Sequence, residues 1–226
     1  QRKLIDAVLD CGTPVVLCCM AGSCMDLSPY ADRAAAVIQT WYPGAEGGQV
    51  LADILAGKTA PSGKLPVTFY GGDYEIPDFT DYSLKNRTYR YVEQGVLYPF
   101  GYGLTYGRAE VISAAYDSES KKVSYEIVNH SDRAVEETVQ VYKKNRTSKW
   151  EVRNTVLCGF AKVCLAPGET RQGEIQLDEY AFTVVNDQGK RVQDGSDYLL
   201  YVGTHGPDKR SEELTGTKAI ALDIKF

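Results

Sequence analysis

Histidine is almost missing from this chain: His130 and His205 are two residues in 226. Neither has a ligand-like neighbour in sequence. The six cysteines contain no C-x-x-C pair, so the usual framework of a zinc site is lacking, and no metal is expected. There is no excess of positive charge. Lys and Arg total 25 against 30 Asp and Glu, a net charge of −5, which argues against a partner with a phosphate backbone, and nucleic acid is not expected. Long apolar runs are absent too. The longest, Pro14 to Ala21, is far too short to span a bilayer, and no lipidation motif or signal peptide appears, so no membrane partner is expected. Gly44, Gly47 and Gly48 lack the Lys-Ser/Thr pair of a phosphate loop and read as turn residues. Ser23 and Ser62 have no histidine or acid in a readable triad frame. Asp117, Glu119, Asp132, Glu136 and Glu137 form no calcium-loop pattern and read as a solvated face. No cofactor is expected.

What remains is ordinary for a folded protein: 43% hydrophobic and 24% charged residues. A chain of this length buries roughly 70% of its extended surface and needs no disulfide staples. The cysteines read as small hydrophobes, and free thiols at this density suit a reducing cytoplasm better than secretion. The chain opens on Gln1 rather than Met, so its true start is expected upstream.

The sequence divides into unlike parts. Residues 1–70 read as α/β. Leu4, Ile5, Val8 and Leu9 share a helical stripe, and Gly12 ends it. Pro14–Met20 is a continuous apolar run, the signature of a parallel strand covered on both faces. Ala34–Trp41 reads as a second strand, Gln49–Leu55 as a second helix closed by Gly57, and Lys64–Tyr70 as extended. Residues 71–108 hold nine aromatics between Tyr74 and Tyr106. A disordered linker is poor in aromatics, so this segment reads as an ordered arm packed on a folded body. Residues 109–226 alternate with period two over Lys122–Asn129, Val135–Tyr142, Val156–Leu165, Thr170–Leu177, Phe182–Asn186, Tyr198–Gly203 and Ala219–Phe226. Turn signals such as Ala166-Pro-Gly-Glu169 separate them, and seven such strands fit an immunoglobulin-like sandwich.

The first 70 residues supply only two strands and two helices, less than a self-sufficient parallel sheet. The fold class is therefore an incomplete parallel α/β sandwich joined to an all-β sandwich. The open sheet edge predicts self-association.

Three segments make the chain resemble glycoside hydrolase family 3. Trp41-Tyr-Pro-Gly-Ala-Glu-Gly-Gly48, Ala52–Gly57 and Pro61-Ser-Gly-Lys-Leu-Pro-Val-Thr-Phe69 are similar to the end of that family's α/β domain. Arg87-Thr-Tyr-Arg-Tyr91 and Leu97–Tyr106 resemble its linker, and the β-half takes the place of its fibronectin type III-like domain, with Pro207–Ser211 and Leu214–Gly216 also similar. Met20–Ser23 and Met25–Ser28 resemble bacterial β-xylosidases and β-glucosidases. The resemblance implies retaining hydrolysis of terminal β-linked xylose or glucose, chemistry that needs two carboxyl groups about 5–5.5 Å apart. In the family the nucleophilic Asp lies in an N-terminal barrel and the acid/base Glu on a loop upstream of Gln1. Neither maps to a position here, so no catalytic residue is assigned. The expected partners are a β-linked glycoside and the missing barrel and remainder of the α/β domain.

Three residues remain as candidates for contact with sugar. Glu46 is the tempting carboxylate, but it precedes a helix, where negative charge is favoured by the dipole. Arg87 and Arg90 reach a sugar in one reading and hold the arm in the other. Tyr89, Tyr91, Tyr98 and Tyr102 read as anchors of the arm. The contrasting functional reading is a stand-alone carbohydrate- or partner-binding sandwich, with Trp150 and Tyr142 as its aromatic platform.

Overall fold

The computed structural model describes residues 1–72 and 74–226. The α/β part opens with helix α1 (Arg2–Leu9), strand β1 (Val16–Cys19), strand β2 (Ala36–Gln39) and helix α2 (Gly47–Leu55). The two strands pair in parallel, Val16 opposite Ala36 through Cys19 opposite Gln39, and among the described residues their sheet has two strands. Both are shorter than their apolar runs, because with a single neighbour the flanking residues have no ladder to join. The expectation of a strand buried on both faces is met only at Cys19. Val16 is 41% exposed, and no residue of α1 is buried, with Leu4 at 68%. Helix α2 starts two residues earlier than its propensity indicates, because Gly47 and Gly48, poor helix formers, occupy its first turn.

The arm is more regular than its composition suggests. Strand β3 (Phe69–Tyr70) pairs antiparallel with β4 (Val96–Tyr98), and helix α3 (Thr88–Tyr91) lies between them. Phe69, 1% exposed, centres a small core in which Trp41 and Tyr98 meet it edge-on at 6.2 and 6.4 Å. Past β4 the backbone pairing continues irregularly, Gly101 N–H donating to Leu65 O and Leu65 N–H to Tyr102 O, both at 2.8 Å.

The β-half holds β5 (Ala109–Asp117), β6 (Lys122–Asn129), β7 (Val135–Asn145), β8 (Val156–Leu165), β9 (Thr170–Gln176), the two-residue strands β10 (Val184–Val185) and β11 (Arg191–Val192), β12 (Asp197–Gly203), helix α4 (Lys209–Thr215) and β13 (Ile220–Lys225). A four-stranded sheet, β13-β12-β7-β8, faces a three-stranded one, β5-β6-β9. Val123, Ile127, Val139, Val141, Tyr198, Leu200 and Val202 have no accessible surface and fill the space between. Burial of each aliphatic side chain contributes roughly 1.5–3 kcal/mol.

The strand count of the sandwich is as expected, but one member differs. Phe182–Asn186 is a turn with a two-residue ladder to β11 and lies outside both sheets. The missing strand is β5. Its alternation is broken by a bulge between Val111 and Ser113, so Ala109 and Val111 face inward, Ile112 is 49% exposed, and Ala114 and Tyr116 resume the inward face.

Candidate functional site

The three sequence candidates lie on two different elements. Glu46 is the N-cap residue of α2, exposed, with no side-chain capping bond. Arg87 is the N-cap residue of α3, and its Nη2 donates to Asp78 O at 2.7 Å. The Thr80 hydroxyl and N–H both bond the Asp78 carboxylate, and with Arg87 nearby they hold its pKa below the ordinary aspartate range. Arg90 is exposed, with its guanidinium 5.8 Å from the centre of the Tyr89 ring and its carbonyl accepting from Asn154 N–H at 2.9 Å. Arg87 thus ties the arm to itself and the Arg90 backbone ties it to the sandwich. Of the anchoring tyrosines, Tyr89 stacks on Phe100 at 4.0 Å and Tyr98 on Tyr102 at 5.6 Å. Burial raises the phenol pKa of Tyr98 and of Tyr102.

The aromatic platform is corrected by the structure. Tyr142 is 2% exposed, and its hydroxyl donates to Gln140 Oε1 at 2.7 Å beneath the arm. Burial drives its pKa far upward. Trp150 is half-buried with its indole N–H enclosed and unpaired. The sequence alternation places Tyr142 on a strand but cannot show that the arm covers it.

Two features at the arm–sandwich seam escape sequence reasoning. One is a joint. Lys64 Nζ lies 2.7 Å from Glu137 Oε1 and donates to Gly103 O at 2.7 Å; Glu137 is buried and Lys64 largely shielded. Beside it Ser62 Oγ donates to Glu136 Oε1 at 2.9 Å, and Lys162 Nζ donates to Ser62 Oγ at 3.0 Å. Gln140 Nε2 donates to Gly101 O at 2.9 Å, and on the other side of the arm Tyr106 Oη donates to Ile54 O of α2 at 2.7 Å. Gly103 is required here because a Cβ would collide with the backbone carbonyl of Gly63. The sequence separations, 73 residues from Lys64 to Glu137, leave no local signal.

The other feature is a half-open cavity of about 410 Å³ between α3–β4, residues 154–155 and the start of α4. Asn154 Nδ2 donates to Tyr89 O at 2.9 Å and Val92 O at 2.8 Å, which fixes the arm as one wall. Arg210 Nε donates to Leu97 O at 3.1 Å, which fixes α4 as the other. The Asp208 carboxylate accepts from Ser211 N–H at 2.9 Å and Ser211 Oγ at 2.6 Å, capping α4. The Asp208-x-x-Ser211 spacing is the signal that would have located this helix. Among the described residues no group of three or more His, Cys, Asp or Glu is placed to hold a metal ion, and no helix is long and apolar enough to cross a membrane.

Comparison with known proteins puts both parts in one lineage. Residues 1–106 match the "Glycosyl hydrolase family 3 C-terminal domain" and residues 137–206 the "Fibronectin type III-like domain". A xylan 1,4-β-xylosidase of Xylanibacter ruminicola is 36% identical over 96% of this chain, and a periplasmic β-glucosidase of Salmonella typhimurium is 32% identical over 90%. Among solved structures, a β-glucosidase from Kluyveromyces marxianus superposes over 99% of the chain with a TM-score of 0.83 at 29% identity. A β-glucosidase from Streptomyces venezuelae in complex with D-glucose superposes over 98% with a TM-score of 0.81 at 25% identity. This chain covers 28% and 30% of those two structures, and 26% and 29% of the length of the two curated relatives.

Proposed function

The chain belongs to glycoside hydrolase family 3 as its C-terminal region, and we propose that it serves a retaining β-glycosidase that removes terminal β-linked xylose or glucose. In this reading the chain is the scaffold that completes the α/β domain and carries the accessory sandwich. The nucleophilic and acid/base carboxyl groups, about 5–5.5 Å apart, come from polypeptide outside these 226 residues. One observation carries the reading: the α/β part displays apolar side chains that its own residues do not cover. Leu4 and Val8 of α1 are 68% and 43% exposed, Val50 and Leu55 of α2 are 53% and 51%, and β1 and β2 have no further strand beside them among the described residues. Such a surface fits docking against further layers of an α/β domain rather than water. In isolation the same edges pair with a second copy, so sedimentation of the purified chain is expected to show concentration-dependent association. Six free thiols support a reducing compartment in a bacterial host.

The test is a chimera. The corresponding 26% of the X. ruminicola β-xylosidase is replaced by this chain, and the hybrid is expected to turn over an aryl β-xyloside or aryl β-glucoside, while this chain alone turns over neither. Turnover by the isolated chain that persists at constant specific activity through further purification overturns the proposal.

A further inference from the structure

We propose that the seam cavity is a binding site for a neutral, hydroxyl-rich ligand of about one or two sugar rings, a size that its 410 Å³ accommodates. The charge pattern favours a neutral ligand over an ionic one. Glu93 is paired with Arg153 at 3.2 Å, and Arg210 with Glu213 at 3.4 Å. The Asp208 carboxylate is taken up by Ser211. Lys209, also in the lining, lies 3.6 Å from Glu213, so each of these charged groups already has a counter-charge or a hydrogen-bond donor. The carboxylates of Glu93 and Glu213 nevertheless keep lone pairs that accept from ligand hydroxyls, as ionised carboxylates are acceptors only.

The wall also contains one polar group with no partner. Thr68 lines the cavity, is 5% exposed, and its hydroxyl makes no hydrogen bond. A buried hydroxyl without a partner costs stability that a ligand hydroxyl recovers. Tyr89 and Phe100, stacked on each other at 4.0 Å, both line the cavity and supply its apolar flank. An enclosed hydroxyl, acceptor-only acids and an aromatic flank together describe a carbohydrate better than a phosphate, a metal or a peptide terminus.

The choice of xylose and glucose units as probes rests on the proposed function, but the two readings fail separately. The chimera reports turnover, and the cavity reports occupancy whether or not turnover occurs. Amide NMR of the 226-residue chain during titration with xylobiose and cellobiose is expected to show saturable shifts at Glu93–Phe100, Asn154 and Arg210 with at least one of them. Thr68→Val is expected to weaken that affinity about tenfold, the loss of one hydrogen bond. Gln94→Trp, a substitution at an exposed rim position that needs no repacking, is expected to abolish the shifts by filling the mouth. The absence of saturable shifts with both sugars, or an affinity unchanged in both variants, overturns the proposal.

Discussion

Six thiols sit in two kinds of surroundings. Cys11, Cys24 and Cys164 are exposed, whereas Cys19 and Cys158 are buried and Cys18 is intermediate. Burial pushes the Cys158 thiol up to about 12, and burial together with the neighbouring Cys18 thiol raises that of Cys19. The nucleophile is the thiolate, so iodoacetamide is expected to label Cys11, Cys24 and Cys164 in the native chain and Cys158 only after unfolding, as read by peptide mass spectrometry. Labelling of Cys158 at the rate of Cys24 would show that the sandwich core opens. The same residue sets an alkaline limit. Its neutral form is favoured in the folded state, so its contribution is complete below the unfolded thiol pKa of ~8.5 and is lost as pH rises from there toward 12. A urea midpoint that falls between pH 8.5 and 11 in the native chain, and falls less in Cys158→Val, checks this. The sequence places Cys158 in an alternating run and so predicts burial. It does not separate Cys164 from it, because Cys158 and Cys164 differ in the face presented beyond the bulge that β8 meets between Val141 and Tyr142.

Helix α4 has defined stops at both ends. Asp208 caps its first turn through Ser211, and Gly216 ends it in the left-handed region at φ 69°. Asp208→Ala is expected to destabilise the chain by ~1 kcal/mol and to lower the melting midpoint by ~2–4 °C in circular dichroism. A shift of zero would mean that the Arg210–Leu97 bond alone holds the helix. Elements with uninterrupted periodicity were legible in the sequence: β6, with Val123, Tyr125 and Ile127 on one face, and α1. Where the geometry departs from a single period, bounds or whole strands were missed, although α2 and the extended run that holds β3 were read in place. Strand β5 changes face at its bulge, α2 begins on two glycines, and β3 and β4 are two and three residues long, stabilised by each other and by Phe69 rather than by propensity. The arm was readable as ordered from its aromatics, but its partners were not, since Tyr89 and Phe100 find each other only through the turn at α3.

Taken whole, the molecule joins its two unlike parts through a seam of hydrogen bonds with the Lys64–Glu137 ion pair among them. Lys64→Met leaves Glu137 buried without a counter-charge and is expected to cost about 3–5 kcal/mol, whereas Lys64→Met with Glu137→Leu is expected to restore most of it. Denaturant midpoints of the wild type, both single variants and the double variant measure the coupling, and additive losses would show that the pair does not act as a unit. The candidate site was the least legible part for the same reason that it exists. The residues that wall it, Thr68, Glu93, Asn154 and Arg210, belong to four distant stretches, and only the closure of the seam assembles them. Glu46, the most conspicuous acid in the sequence, takes no part in that wall. The seam has a mechanical corollary. With side chains of residues 62 and 64 bonded to Glu136 and Glu137, and Gln140 bonded to the Gly101 carbonyl, the sandwich has no elbow about which to swing, so anything gripped by its outer surfaces is held at a set bearing from β1 and β2, and this half of the protein acts as a ruler and not as a flap.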